Sequence, residues 1–451
     1  MEQSRKLKWT TKLLYGVGDV GNAVVNSAIQ FYLMIFYTDG ALIAPALASS
    51  ALLVGKIWDG INDPLFGWIS DRTRSRFGKR RVYMIFGALP LAIATLLLWR
   101  VPAGLSNAWT FVWIAATFML FDTMWTLTNV PYYALTAELT DDYDERASIT
   151  AWRMVLGVPA YIIGAALTPV LVGLFVSKRT GYGVVGIVYG VLAAVALWIA
   201  AAGLRERATV AASQAGTAVW QTLRETMKNR PFLRLLGAFL LANTGFALIR
   251  TLMAYFLIYQ LGMEGQVFLV MGLLLVFVAV FLFPWQFLAK RWNKGPAYAL
   301  GLAIGGLAVA LTFFLPAGPT PWVYAIAAVA GIGFSAQWVF PWAMVPDVVE
   351  FDRVKSGEHR SGMYYGVWGL ATKLSDALGI AATGWVLQLY KYVPNVEQSR
   401  HTLAGMRLFF GPVPLIFFAL ALPLLIWYPI TRKSHAELRQ RLEAQGRKSG
   451  E

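Results

Sequence analysis

Val267-Phe268-Leu269-Val270-Met271-Gly272-Leu273-Leu274-Leu275-Val276-Phe277-Val278-Ala279-Val280-Phe281-Leu282-Phe283-Pro284-Trp285 runs for 19 residues without one charged side chain, and Lys290-Arg291 follow shortly after it. A helix crossing the hydrocarbon core of a bilayer needs about 20 mostly apolar residues, so this stretch reads as a span. Similar runs, bounded by polar or Gly/Pro punctuation, lie near 11–37, 45–70, 82–101, 108–137, 149–175 and 183–203. A second set lies near 232–260, 266–289, 297–315, 321–346, 362–390 and 405–429. Over all 451 residues, 57% are hydrophobic and 14% charged, against about 25% charged in an average globular domain. So few charges cannot cover a soluble surface of this size. The expected fold is an all-α integral membrane protein, with twelve transmembrane helices in two pseudo-symmetric six-helix bundles.

The formal net charge of +15 invites a nucleic-acid reading, and its placement removes it. With both termini on the cytoplasmic side, the inner segments and adjoining helix ends hold 29 of the 39 Lys and Arg. The outer segments hold six (Arg100, Lys178, Arg179, Lys391, Arg400, Arg407), and four lie inside spans. That asymmetry is the positive-inside pattern. The basic balance orients the chain beside anionic headgroups in a bilayer, and no nucleic-acid partner is expected. A charged first dozen residues, followed by a run of full spanning length, speak against a cleaved signal peptide. The expected location is a cell membrane, of the bacterial inner-membrane kind, crossed many times by a monomer.

Residues 1–203 are expected to form an N-terminal six-helix bundle, and 232–430 a C-terminal one. Residues 204–231 form the longest polar connection and read as a cytoplasmic linker, with a small and polar core from Ala208 to Ala218. Residues 431–451 form a basic cytoplasmic tail. The halves share landmarks. Pro131-Tyr132 precedes an acidic run ending at Arg146-Ala147-Ser148, and Pro341-Trp342 precedes Asp347, Glu350, Asp352 and Arg360-Ser361-Gly362. Pro64 and Pro284 each precede a basic loop. A duplicated six-helix unit is a design common in transporters.

Charges inside spans are costly and mark functional candidates. There are nine: Asp19, Lys56, Asp59, Asp63, Asp122, Arg153, Arg250, Lys373 and Asp376. Helical spacing aligns many of them with other polar groups. The first span carries Asp19, Asn22, Asn26 and Gln30 on one face; the fourth carries Asp122, Thr126, Asn129 and Tyr133; the eleventh carries Tyr365, Trp368, Thr372 and Asp376, with Lys373 beside them. Stripes of four polar groups exceed what gluing helices requires, and imply a wet central cavity at the bilayer midplane.

The sharpest local feature is Trp58-Asp59-Gly60-Ile61-Asn62-Asp63-Pro64. Asp59 and Asp63 lie one turn apart, about 6 Å along the axis. Two ionised carboxylates that close in a weak dielectric repel, so one holds a proton or a cation sits between them. Asn62 adds an amide oxygen of the kind a hard cation takes as ligand. Alternatively, Lys56 neutralises Asp59 as a plain intrahelical pair, which leaves Asp63 to be accounted for.

Asp59-Gly60-Ile61-Asn62-Asp63-Pro64, Gly67-Trp68-Ile69-Ser70-Asp71-Arg72 and Arg74-Ser75-Arg76-Phe77-Gly78-Lys79 resemble the melibiose permease group, the glycoside–pentoside–hexuronide:cation symporters of the major facilitator superfamily. The likeness continues through Tyr15-Gly16-Val17-Gly18, Tyr37-Thr38-Asp39, Pro346-Asp347 and Tyr392-Val393-Pro394-Asn395-Val396-Glu397-Gln398-Ser399. The resemblance implies a major facilitator fold and cation-coupled symport of a sugar, glycoside or uronide by alternating access. It requires no cofactor beyond a coupling cation: sodium, lithium or proton.

Carried over by position, the resemblance puts the cation site on Asp59, Asn62, Asp63 and Thr126, the two carboxylates being sodium ligands where sodium is the coupling ion. The group's substrate residues fall on Arg153, Trp338 and Lys373. Two carboxylates that hold galactoside hydroxyls in melibiose permease fall on Ala23 and Asn129, its aromatic stacking residue on Tyr133, and a neighbouring lysine on Asn22. Asp19 lies one turn before Ala23 on the same face. The expected substrate set is therefore Asp19, Asn22, Asn129, Tyr133, Arg153, Trp338 and Lys373. A guanidinium fork suits a carboxylate or phosphate, so Arg153, Arg250 and Lys373 admit an anionic sugar; internal pairing with Asp19, Asp122 and Asp376 admits a neutral one.

Asp71, Arg72, Arg76, Lys79 and Arg80 resemble the superfamily's loop between the second and third spans, and a conformational role is expected for them. Glu138, Asp141, Asp142, Asp144 and Glu145 are candidate partners. A different function also fits, since eukaryotic relatives of the group move lysophospholipids. An enzyme finds no support. Cysteine is absent, the three histidines (His359, His401, His435) lie outside the spans, and neither a His-Glu-x-x-His motif nor a phosphate-cradling glycine loop occurs. Reporter tags placed after residue 210 and at the C-terminus should both read cytoplasmic. An outside signal at either place refutes this topology.

Overall fold

The computed structural model describes residues 7–73, 75–140, 142–204, 219–356 and 360–431, and every regular element within them is helical. The first six spans are α1 (Trp9–Ile35, continued by a π-helical turn Phe36–Gly40), α2 (Pro45–Arg72), α3 (Arg81–Leu98), α4 (Asn107–Leu139), α5 (Tyr143–Gly173) and α6 (Lys178–Gly203). A short helix, α7 (Val219–Thr226), follows. Then come α8 (Arg230–Tyr255, continued by a π-helical turn Phe256–Gln260), α9 (Val267–Trp292), α10 (Lys294–Leu311), α11 (Trp322–Ser356) and α12 (Ser361–Leu389). The last span is α13 (Arg400–Phe410) and α14 (Pro412–Ile426), broken at Gly411. The protein is a multi-pass membrane protein.

Ten of these spans are long and apolar enough to cross a bilayer. The two others, α2 and α12, have 28 and 29 residues and so do not lack length. They carry Lys56, Asp59 and Asp63, and Lys373 and Asp376 respectively. What makes them poor spans by composition is the set of charges that sequence marks as functional.

Boundaries depart from expectation where capping or amphipathic extension acts. The fifth span begins at Tyr143 because Asp142 accepts a hydrogen bond from Glu145 N at 3.0 Å, an N-cap that supplies one of the unpaired donors of the first turn. The tenth runs past Pro346 to Ser356, its added turns carrying Asp347, Glu350 and Asp352. Both the first and the seventh spans end in a π-helical turn. In the expected linker, Val219–Thr226 is helical, while residues 205–218, including the Ala208–Ala218 core, lie outside the described residues, as do 432–451 of the tail.

By packing, the chain forms two compact units. One comprises residues 1–212, 250–272 and 380–405; the other comprises 213–249, 273–379 and 406–451. In the first, α1 lies against α5 and α6, α3 against α4 and α6, and α2 against α4; in the second, α10 lies against α11 and α14. Close approach depends on small residues, as is usual between helices in lipid. A Cβ at Gly333 of α11 would sit 2.2 Å from Gly305 N and 2.6 Å from Gly301 O of α10.

The first unit also contains a buried charge at the end of α1. Asp39 is 3% exposed. Its carboxylate accepts hydrogen bonds from Thr38 Oγ1 at 2.7 Å, from the Tyr392 hydroxyl at 2.5 Å and from the Tyr259 hydroxyl. Asn395 Nδ2 donates to the Asp39 carbonyl at 2.8 Å, and Thr38 shares a 2.8 Å hydrogen bond with Tyr255. Tyr37-Thr38-Asp39 and the Tyr392–Ser399 stretch, distant in sequence, therefore meet around one carboxylate.

Gly333→Val should lower the thermal stability of the purified protein by about 2 kcal/mol, because the obstructing atoms are backbone and cannot rotate away. Gly272→Ala, whose Cβ would meet only Ala166 Cβ at 3.8 Å, should melt within experimental error of the parent. Equal stability of the two variants in a fluorescence melt would refute this packing.

Candidate functional site

The Asp59–Asp63 stretch lies in the middle of α2 and faces α4. Asp59 and Asn62 are buried, at 7% and 0% exposure, and across from them on α4 lie Asp122 and Thr126, at 5% and 2%. The two helices meet through matched side chains: Thr126 Oγ1 donates to Asp63 Oδ1 at 2.8 Å, and Asn62 Nδ2 donates to Asp122 Oδ2 at 3.1 Å. Trp58 Nε1 donates to Thr123 Oγ1 at 2.9 Å and fixes the same contact from the side.

Lys56 Nζ is 3.2 Å from Asp59 Oδ2, one turn along α2. Asp59 thus has the lysine partner that the second reading of this stretch expects, and Asp63 is bound from α4. Asn62 Oδ1 is different. It is buried and has no hydrogen-bond partner. Among the described residues no three His, Cys, Asp or Glu converge closely enough to hold a metal ion. What the site offers is a mixed set of carboxylate, amide and hydroxyl oxygens, the donor type that hard cations take.

The expected substrate residues of the first unit separate into two groups. Arg153 of α5 lies over the Tyr133 ring, 4.8 Å from guanidinium carbon to centroid. The Tyr133 hydroxyl donates to Asp19 Oδ1 at 3.4 Å, and Asp19 is within electrostatic reach of Arg153. Arg153 Nε is buried without a hydrogen-bond partner, while Tyr133 is 42% exposed. Next to them, Asn22 Nδ2 donates to Asn129 Oδ1, and both residues are 2% exposed. These asparagines close on each other rather than joining the Asp19–Tyr133–Arg153 cluster.

Further along α1 the polar stripe continues. Gln30 Nε2 donates to Asn26 Oδ1 at 2.7 Å, and Gln30 Oε1 accepts from the Tyr161 hydroxyl at 2.8 Å and from Arg250 Nη1 at 2.5 Å. Trp338 and Lys373 belong to the second unit, where Trp338 is 42% exposed and Lys373 half-buried. In that unit Asn243 Nδ2 donates to Asp376 Oδ1 at 3.1 Å. Arg250 and Asn243, seven residues apart on α8, thus serve different units.

In the basic loop, Arg80 is buried and donates to Ser70 Oγ at 2.7 Å. Lys79 is half-buried, and Arg76 is exposed over the Phe77 ring. The side chains of Asp71 and Arg72 lie outside the described ones, as do those of Glu138, Asp141 and Asp144. Of the acidic candidates, Asp142 caps α5. Glu145 lies 3.0 Å from Lys12 Nζ and accepts from Leu7 N at 3.1 Å. The Lys12 hydrogen bond holds the Glu145 carboxyl below the ordinary glutamate range. Glu145 therefore ties the start of α1 to the start of α5. In the second unit, Lys294 Nζ at the start of α10 lies 2.7 Å from Asp347 Oδ2 near the end of α11.

Two buried acids lie outside the expected site sets. Asp122 is among the nine charges inside spans and on the Thr126 face of the fourth, one turn away, but is not assigned to the cation set. Asp39 sits within a quoted motif, but nothing in the sequence pairs it with Tyr259 or Tyr392.

The sequence is similar to known proteins over nearly its whole length. The chain is 30% identical to a Synechocystis sp. protein named "Uncharacterized symporter sll1374", over 98% of this chain and 98% of that one. It is 27% identical to the isoprimeverose transporter of Lactiplantibacillus pentosus, over 96% of this chain and 92% of that one. It is also 27% identical to the mouse sodium-dependent lysophosphatidylcholine symporter 1, over 98% of this chain and 90% of that one. The family described as MFS/sugar transport protein matches residues 14–432, and the chain belongs to it.

Proposed function

We propose that this transporter is a cation-coupled symporter of the glycoside–pentoside–hexuronide group, moving a sugar, glycoside or uronide by alternating access. It works as a monomer in a bacterial-type inner membrane with both termini cytoplasmic. The observation that carries the proposal is the oxygen set between α2 and α4: Asp59, Asn62, Asp63 and Thr126, with Asn62 Oδ1 buried and unpartnered. In a low dielectric, a net-negative cluster of this kind attracts a cation. Sodium or lithium entering it is neutralised by the carboxylates and coordinated by the amide and hydroxyl oxygens. The basic loop, with Asp71, Arg72, Arg76, Lys79 and Arg80, serves the conformational change.

The proposed substrate contacts are Arg153, Tyr133 and Asp19, with Asn22 and Asn129 shaping the wall beside them; for Trp338 and Lys373 a substrate role is proposed on the resemblance alone. Arg153 over Tyr133 offers a planar cation on an aromatic face, which suits a uronide carboxylate, while Asp19 accepts sugar hydroxyls. A lysophospholipid is the second reading. Two observations favour it: Asn129 takes the place of a carboxylate that the resemblance would use for sugar hydroxyls and is instead bonded by Asn22, and the lysophosphatidylcholine symporter shows similar identity.

Uptake into proteoliposomes under a sodium gradient, with labelled uronide and neutral sugars in one arm and lysolipid in the other, tests the proposal. Linkage is reciprocal, so sodium should tighten substrate binding by the factor by which substrate tightens sodium, about 5- to 150-fold. Accumulation of lysolipid alone would establish the second reading, and indifference to sodium, lithium and pH would refute coupling.

Asp63→Asn should abolish concentrative uptake while substrate exchange down its gradient persists, since the substrate cluster lies on α1, α4 and α5. Accumulation by that variant would remove Asp63 from the coupling site. Arg153→Lys should weaken substrate binding about tenfold although the charge is kept, because the fork and its stacking are lost. Unchanged affinity would place substrate recognition elsewhere.

A further inference from the structure

Asp122 has no role in the cation set carried over from the resemblance, yet it is buried in α4 one turn before Thr126 and turned toward the same stretch of α2. The two α4 side chains divide the work. Thr126 donates to Asp63, and Asp122 accepts from Asn62 Nδ2 at 3.1 Å. A carboxylate only accepts hydrogen bonds, whereas an amide has a donating and an accepting end. Asp122 thereby decides which way the Asn62 amide points. Its nitrogen is drawn to α4, and its oxygen is left facing away from Asp122.

That oxygen, Asn62 Oδ1, is in a residue with 0% exposure and has no hydrogen-bond partner. An unpaired buried oxygen is costly to keep, and a hard cation is the class of ligand that takes such oxygens. The three acids do not converge on one point as a metal centre would require. Asp122 also lies within interaction distance of Asp59, so its effect through Asn62 has to be separated from an effect of its charge.

We propose that Asp122 is a positioning residue for the coupling cation: by fixing the Asn62 amide it aims Oδ1 at the ion held with Asp59, Asp63 and Thr126. The inference rests on the coupling role proposed above for that set. Groups behind first ligands that orient them commonly change ion affinity about 10- to 100-fold when removed. A freed amide presents its nitrogen as readily as its oxygen, and a nitrogen donor repels a cation.

The test is sodium and lithium binding to purified protein, read as salt-dependent thermal stabilisation against choline chloride at equal ionic strength, with no substrate required. Asp122→Leu, similar in volume and compatible with a lipid-embedded helix, should weaken sodium binding about tenfold or more. In an Asn62→Ala background the same substitution should add less than about twofold, because its action runs through the missing amide. An equal loss in both backgrounds means that Asp122 acts by charge alone, and overturns the proposal. Where Asn62→Ala binds too weakly for that comparison, the ratio of lithium to sodium affinity in Asp122→Leu decides. A misaimed oxygen alters the ratio, whereas a missing charge weakens both ions alike. A parent protein that responds to neither ion refutes the coupling reading and this inference together. A parent that responds and an Asp122→Leu that responds equally refutes this inference alone.

Discussion

Lipid offers no hydrogen bonds, so each polar side chain in a span must find its partner inside the protein. The contact of α2 with α4 follows from that constraint. Asn62 and Asp63 are neighbours on α2, and Asp122 and Thr126 are one turn apart on α4, so the two pairs bond only when the helices lie side by side in one register. Lys56 bonds Asp59 within α2 and passes over the Phe118 ring of α4, 5.5 Å from its centroid. Composition makes α2 a poor membrane span; α4 makes it an acceptable one.

Two buried polar clusters of the first unit differ in one respect that separates structure from proposed function. Around Asp39 the carboxylate takes three hydroxyl donors, and its carbonyl takes an amide as well. That network joins the end of α1 to segments from residues 250–272 and 380–405, and its logic is internal cohesion. Between α2 and α4 the network stops one bond short, at Asn62 Oδ1. In a low dielectric an unmade bond costs more than a made one contributes, and the proposed coupling cation would supply the missing partner here.

Sequence revealed the spans because their apolar runs are long and closed by charge, and it revealed the polar stripes because helical spacing is regular. Asp59 and Asp63 stood out because two acids one turn apart cannot both rest in lipid unaided. The ends of spans were less legible. The π-helical turns at Phe36–Gly40 and Phe256–Gln260 leave no mark in an apolar run, and the added turns after Pro346 are amphipathic rather than apolar. Partners across helices were not legible at all. Spacing puts Asp122 and Thr126 on one face, but nothing in α4 says that this face meets Asn62, or that Asp39 would find Tyr259 and Tyr392. Such pairings depend on helix rotation, which packing decides.

The substrate side follows the same accounting of partners. Where two galactoside-binding carboxylates are expected from the resemblance, the chain has Ala23 and Asn129, and Asn129 is consumed by Asn22. Replacing carboxylates by a neutral pair removes both acceptors for sugar hydroxyls and repulsion toward an anion. Arg153 is then opposed by Asp19 alone within this cluster, with the Tyr133 ring beneath it and Nε without a partner. A guanidinium in that position has donors to spare, and Asp19 keeps it from attracting any anion indiscriminately. A solute that carries both an acidic group for Arg153 and a hydroxyl for Asp19 satisfies both at once. A neutral sugar satisfies only the second, which is why the proposal above includes a uronide beside a simple glycoside.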